Sequence, residues 1–167
     1  MSPDSNQFLS VQRAFADQGW RFEVIAGREV IRAGFDAHHT RIDVFAQAHP
    51  RINALSVVAE TPLTVPRTHL PLLLELLARA NKPLTLGGFE YDPDRHTLVF
   101  RLANLFERDT FAADIVSAMV RCAIAEMDRL TPCAAIVRDT PAESLARLDP
   151  AALLAREDLL PPLAGGA

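Results

Sequence analysis

An α+β domain is predicted, with an antiparallel meander sheet of about six strands and helices packed on one face. Three observations carry this expectation. Period-2 patterning with short connections runs from Trp20 to Glu60, the period turns helical over Thr68–Ala80, and a second hairpin precedes one long amphipathic stretch.

Each element follows from its residues. Asn6–Gln18 places Phe8, Leu9, Val11, Phe15 and Ala16 near one side of a helix, with Ser5 as N-cap and Gly19 as its stop. Trp20–Ile25 reads as a short strand, and Ala26, Gly27 and Arg28 turn it into a second over Glu29–Ala37. His38, His39 and Thr40 interrupt the pattern before Arg41–Ala48, where Ile42, Val44, Ala46 and Ala48 alternate with Arg41, Asp43, Phe45 and Gln47. His49, Pro50 and Arg51 turn into a fourth strand over Ile52–Glu60, closed by Pro62 and Pro66.

Thr68–Ala80 carries Leu70, Leu73, Leu74 and Leu77 at helical spacing, with Leu72 and Leu76 widening the stripe. Asn81, Lys82 and Pro83 stop it. In the second hairpin Leu84 and Leu86 share one parity and Phe89 and Tyr91 the other, which predicts a β-bulge at Gly87 and Gly88. Asp92–Arg95 form the turn, and Leu98, Phe100 and Leu102 line one face of the returning strand. Asp109 or Thr110 caps a long helix carrying Phe111, Ile115, Ala118, Met119 and Cys122, and Pro132 predicts a kink or a short break in it. Thr140, Pro141 and Glu143 match a capping box, and Asp149 with Pro150 signals another short helix. The organisation expected is one domain over 1–138, short helices packed on it over 139–160, and a flexible tail over 161–167.

Composition sets the broad class. The 167 residues are 49% hydrophobic and 23% charged, with mean hydropathy +0.09, as in proteins that bury a core. No run reaches the roughly 20 apolar residues of a membrane helix, and Met1–Gln18 has no signal-peptide pattern, so a cytoplasmic protein with reduced Cys122 and Cys133 is expected. A net charge of −4, with Arg32, Arg41, Arg101 and Arg121 interspersed among Asp36, Asp43 and Asp114, argues against nucleic acid as partner.

No local motif carries catalytic or cofactor chemistry. A metal at His38 and His39 needs a third ligand such as Asp36, Asp43 or His49, and an exposed turn explains the pair more simply. Cys122 lies on an apolar stripe without a base, and Glu90, Asp92 and Asp94 lack the longer ligand series of a calcium loop. Gly87 and Gly88 lead into no helix, and Ser10, Ser56, Ser117 and Ser144 lie in no nucleophile elbow. No metal, cofactor or catalytic residue is therefore expected.

The element order, together with Trp20, the leucine helix ending in Ala80 and Asn81, the Gly88–Asp92 hairpin, and Asp128 with Pro132, resembles the YbjN-type family and the wider type III secretion chaperone-like fold over roughly residues 6–145. The resemblance implies a small acidic, dimeric, non-catalytic protein that binds other polypeptides and acts as a regulator or chaperone-like module. The alternative is a small enzyme or ligand-binding protein whose site is assembled from scattered residues. Apolar residues on both strand parities, Phe45 beside Val44 among them, predict a homodimer. Six leucines between Leu70 and Leu77 exceed the stripe that one sheet face buries, so Leu72 and Leu76, with Phe45, are the expected partner contacts; the alternative for the two leucines is that the C-terminal segment folds back and covers them with Leu145, Leu148, Leu153 or Leu154.

Overall fold

The computed structural model describes residues 4–161. Its order is α1 (Asn6–Asp17), β1 (Glu23–Val24), β2 (Val30–Asp36), β3 (Arg41–His49), β4 (Ala54–Pro62), α2 (Leu70–Asn81), β5 (Gly88–Asp92), β6 (Thr97–Leu105), α3 (Ala113–Asp139) and α4 (Pro150–Leu154). All strand pairs are antiparallel in the order β1-β2-β3-β4-β6-β5. The α+β sheet expected from the pattern is therefore present.

Alternation along the strands separates two faces. Ile42, Val44, Ala46 and Ala48 are buried, as are Leu55, Val57 and Ala59 opposite them and Leu98, Phe100 and Leu102 beyond, and α1 and α3 pack on this side. The other parity carries Phe45, Val58 and Val99 among the Arg32–Asp43, Arg95–Glu60 and Arg101–Glu90 ion pairs.

Local chemistry sets the ends. Ser5 accepts the Phe8 N–H at 3.1 Å and Asp149 accepts the Ala151 N–H at 2.8 Å, as N-caps do. Several boundaries depart from expectation. Strand pairing at β1 covers only Glu23 and Val24, because Trp20 and Phe22 turn in against Phe15 instead. Pro50–Ile52 form a 3-10 turn ending on left-handed Asn53, so β4 begins at Ala54 and extends through Pro62, opposite Thr97.

The expected bulge is absent. Leu84 and Leu86 precede the strand, β5 begins at Gly88, and its register with β6 is continuous. Gly87 has φ +74°, and a Cβ there would lie 2.7 Å from the Arg101 carbonyl oxygen, so glycine serves the strand entry. Asn81 then closes the edge: it accepts the Phe89 N–H at 2.7 Å and donates to the Phe89 carbonyl at 3.1 Å.

The α3 helix has Ala112 as N-cap without a side-chain bond, while Asp109 accepts from Asn6 at 2.9 Å. It runs through Pro132 as one continuous helix, so of the expected kink or break the break does not occur. Buried Leu130, Cys133, Ala134 and Val137 hold both sides of the proline in the core, outweighing one missing hydrogen bond. Nor does Thr140 form the expected capping box, since its hydroxyl donates back to the Ile136 carbonyl at 2.6 Å.

In the leucine helix the C-terminal cover, and not exposure of Leu72 and Leu76, is what the structure holds. Leu76 is 0% exposed and Leu72 half-buried, while Leu74 is 54% exposed. The reason is that α2 is enclosed by β5, α3 and α4, and buried His69 ties its start to the Thr140 carbonyl at 2.7 Å. A face that three elements share needs a wide apolar stripe. The tail expected over 161–167 falls, beyond Pro161, outside the described residues.

Candidate functional site

A broad concavity lies along one side of α3. Its α3 wall carries Arg121, Ile124, Ala125, Asp128 and Arg129, spaced to fall on one helical face over two turns, with Glu126 at its margin. Trp20, Phe35, Ala37 and His38 form the facing wall, Leu160 and Pro161 close one end, and the groove has a volume of about 700 Å³.

Trp20 reaches this wall through the end of α1. Gly19 takes φ +68°, its N–H donates to the Ala16 carbonyl at 2.9 Å, and the Trp20 N–H donates to the Phe15 carbonyl at 3.1 Å, which is a Schellman ending. The matching side-chain contact is present, with Trp20 edge-on to Phe15 at 5.2 Å. Trp20 then meets Phe35 edge-on at 5.5 Å, fixing the aromatic wall.

One carboxylate holds the turn that completes the wall. Asp128, 5% exposed, accepts the His38 N–H at 3.2 Å and the His39 N–H at 2.7 Å. The Ala37 N–H donates to the Thr40 carbonyl at 2.9 Å, so the β2–β3 turn is closed on itself and anchored on α3. Two charge-assisted bonds offset the cost of burying the acid. The His38 and His39 rings stand edge-on at 4.5 Å, and His39 Nε2 is buried without a hydrogen-bond partner among the described residues.

The charges in the groove are unequal. Arg129 bonds Glu126 through two nitrogens at 3.0 and 2.7 Å, whereas Arg121 meets no carboxylate among the described residues, donating to Gln18 Oε1 at 2.6 Å and lying 5.5 Å over the Trp20 ring. The site thus offers apolar walls, one cation without an acid, and a carboxylate already committed to the protein's own backbone.

The residues singled out from sequence lie elsewhere. Leu72 and Leu76 belong to the packed α2, and Phe45 is half-buried on the outward sheet face with Arg32 5.9 Å from its ring. Trp20 and Asp128, which carried the family resemblance without a role, both line the groove. Among the described residues, no group of three or more His, Cys, Asp or Glu side chains gathers as a metal site. Burial pushes both thiols up, with Glu126 adding to the effect at Cys122, and Cys133 donates weakly to the Leu153 carbonyl at 3.7 Å.

Fold and site together define a six-stranded antiparallel sheet, a meander through β4 with β6 crossing over to pair with it ahead of β5, covered by helices and with an open groove along its longest helix. A family model described as "YbjN: Putative bacterial sensory transduction regulator" matches residues 10–134. The chain belongs to the YbjN family. Among solved structures it is similar to "YbjN, a putative transcription regulator from E. coli", with a TM-score of 0.52 and 13% identity over 83% of this chain and 90% of that one, a likeness of fold. No curated protein matches it in sequence.

Proposed function

We propose that this chain is a non-catalytic regulatory module that binds another polypeptide in the α3 groove. The observation that carries the reading is the apolar surface of Trp20, Phe35, Ala37 and Ile124, only partly buried and left open to the groove among the described residues. An enclosed pocket with convergent polar groups would favour a small substrate. Here the groove is open, Asp128 is spent on the β2–β3 turn, and Arg129 is paired. The description of the family as a sensory transduction regulator supports the regulatory part. The similar E. coli protein is described as "a putative transcription regulator", and the net charge of −4 here favours control through protein contacts over a DNA surface. Among the described residues no helix is long and apolar enough to cross a membrane, and a cytoplasmic setting would keep Cys122 and Cys133 as the thiols they are here.

A benzophenone amino acid introduced at Ile124 in cells is expected to give a covalent protein adduct that disappears when Ala125→Arg is added. The same probe at Leu74 should give none. No adduct from Ile124, or one indifferent to Ala125→Arg, would remove the reading.

The outward sheet face suits a second copy of the chain. Phe45 and Val58 sit between rows bearing both signs of charge, Arg32 with Asp43 and Arg101 with Glu90, a pattern that can complement itself across a two-fold axis. Light scattering should give twice the chain mass for the native protein and the monomer mass for Phe45→Glu; a native monomer at all concentrations would refute the pairing.

A further inference from the structure

The groove constrains the shape of what fills it. Resting on the polypeptide reading above, we propose that its occupant is an amphipathic helix carrying an acidic residue beside its apolar stripe.

Hydrogen bonding decides between helix and extended chain. The apolar walls of Trp20, Phe35, Ala37 and Ile124 offer no hydrogen-bond partner to an extended segment, whose amides turned into the groove would be left unpaired. A helix satisfies its own backbone and needs only side-chain packing from its host. The sheet gives an extended partner little alternative, since Asn81 occupies the Phe89 amide and carbonyl on the β5 edge and β1 is two residues long.

The α3 wall has the form that receives a helix. Arg121, Ile124, Ala125, Asp128 and Arg129 stand at i, i+3, i+4, i+7 and i+8, the rows along which helices pack with axes about 8–10 Å apart. Ala125, small and exposed at the middle of this face, permits close approach. The facing aromatics would cover the far flank of the incoming apolar stripe.

Charge complementarity supplies the acid. Of the charged groups that line the groove, Glu126 and Arg129 neutralise each other and Asp128 is bound to two backbone amides. Among the described residues Arg121 meets the neutral Gln18 oxygen and the Trp20 ring and no carboxylate, so a carboxylate on the occupant would gain a charge-assisted bond at that end.

The test uses the full-length chain and a phage-displayed library of helical peptides, selected on the native protein and counter-selected on Ala125→Arg. Trp20, the only tryptophan of the chain, reports occupancy through its emission. Enriched peptides are expected to show an apolar i, i+3, i+4, i+7 stripe with an adjacent Glu or Asp, to gain helicity on binding, and to lose affinity roughly tenfold against Arg121→Glu. A Glu→Lys change in the peptide should restore binding to that variant.

Enriched sequences that bind equally well with a proline at their centre would overturn the helix and leave the polypeptide reading standing. Enrichment without any acid preference, or indifference to Arg121→Glu, would overturn the charge assignment. Failure to enrich, together with no adduct from Ile124, would remove both readings. A Trp20 emission shift on deleting residues 162–167, with no peptide enriched, would identify the chain's own end as the occupant and overturn the proposal.

Discussion

The α2 helix and the middle of α3 present opposite relations between sequence and surface. With six leucines from Leu70 to Leu77, α2 is the most apolar stretch of the chain, yet only Leu74 among them is largely exposed. Between Arg121 and Arg129, α3 mixes four charged residues with Ile124 and Ala125, and its outward side lines the open groove. Apolar density thus measures how many neighbours an element has within its own fold. An interaction surface is marked by what the fold leaves uncovered, which depends on the path of distant segments.

The largest expected effect tests the covered half of this comparison. Leu76→Ala should destabilise the protein by about 2–5 kcal/mol, because it leaves a cavity in packing that cannot fully relax. Leu74→Ala, two residues away, should cost only about 0.5 kcal/mol or less. Urea unfolding of the pair measures both; comparable losses would show that α2 is less enclosed than described.

A smaller but local effect is expected at the groove. Asp128→Ala leaves the His38 and His39 amides without their acceptor and should cost about 1–3 kcal/mol. Its distinguishing sign is a change of Trp20 emission and faster amide exchange confined to the β2–β3 turn, since the substitution releases one wall and spares the sheet. Uniform acceleration across all strands would show that Asp128 supports the whole core instead of this wall.

The comparison also explains what could be read from the sequence. The meander was legible because Ile42, Val44, Ala46 and Ala48 alternate without exception, and the Ser5 and Asp149 caps because their bonds run to amides two or three residues away. Trp20, Phe35 and Ile124 are brought together only by tertiary folding, so no spacing rule joins them. Asp128 bonds to backbone amides about ninety residues distant, which carry no side-chain signature. Its signal was an acid among buried Met127 and Leu130, beside the chain's single tryptophan placed directly after a helix-stopping glycine. The leucine run leaves two readings open, a partner or the chain's own C-terminal segment, because width of stripe does not say what covers it; α4 and the Thr140 carbonyl at His69 decide for the second.

Asn81→Ala should cost about 1–2 kcal/mol through two lost hydrogen bonds, and it would bare the edge of β5. If the edge is silent only because Asn81 fills it, this variant should self-associate in a concentration-dependent way that Phe45→Glu does not suppress. Light scattering of the single and double variants separates edge pairing from face pairing. An unchanged mass for Asn81→Ala would show that the charges of Glu90 and Asp92 protect the edge without help.

The smallest expected effect is the most decisive for the comparison. Ala125→Arg places a long cation on the exposed side of α3, where it faces solvent and the groove, and arginine forms helix nearly as well as alanine. Stability should therefore stay within about 0.5 kcal/mol of the parent while the groove is filled. Thermal unfolding checks the first part and Trp20 emission the second. A large loss of stability would mean that this face is packed as tightly as α2, so that the two helices do not differ after all. Unchanged stability with altered emission would separate the surface that folds the protein from the surface it keeps free.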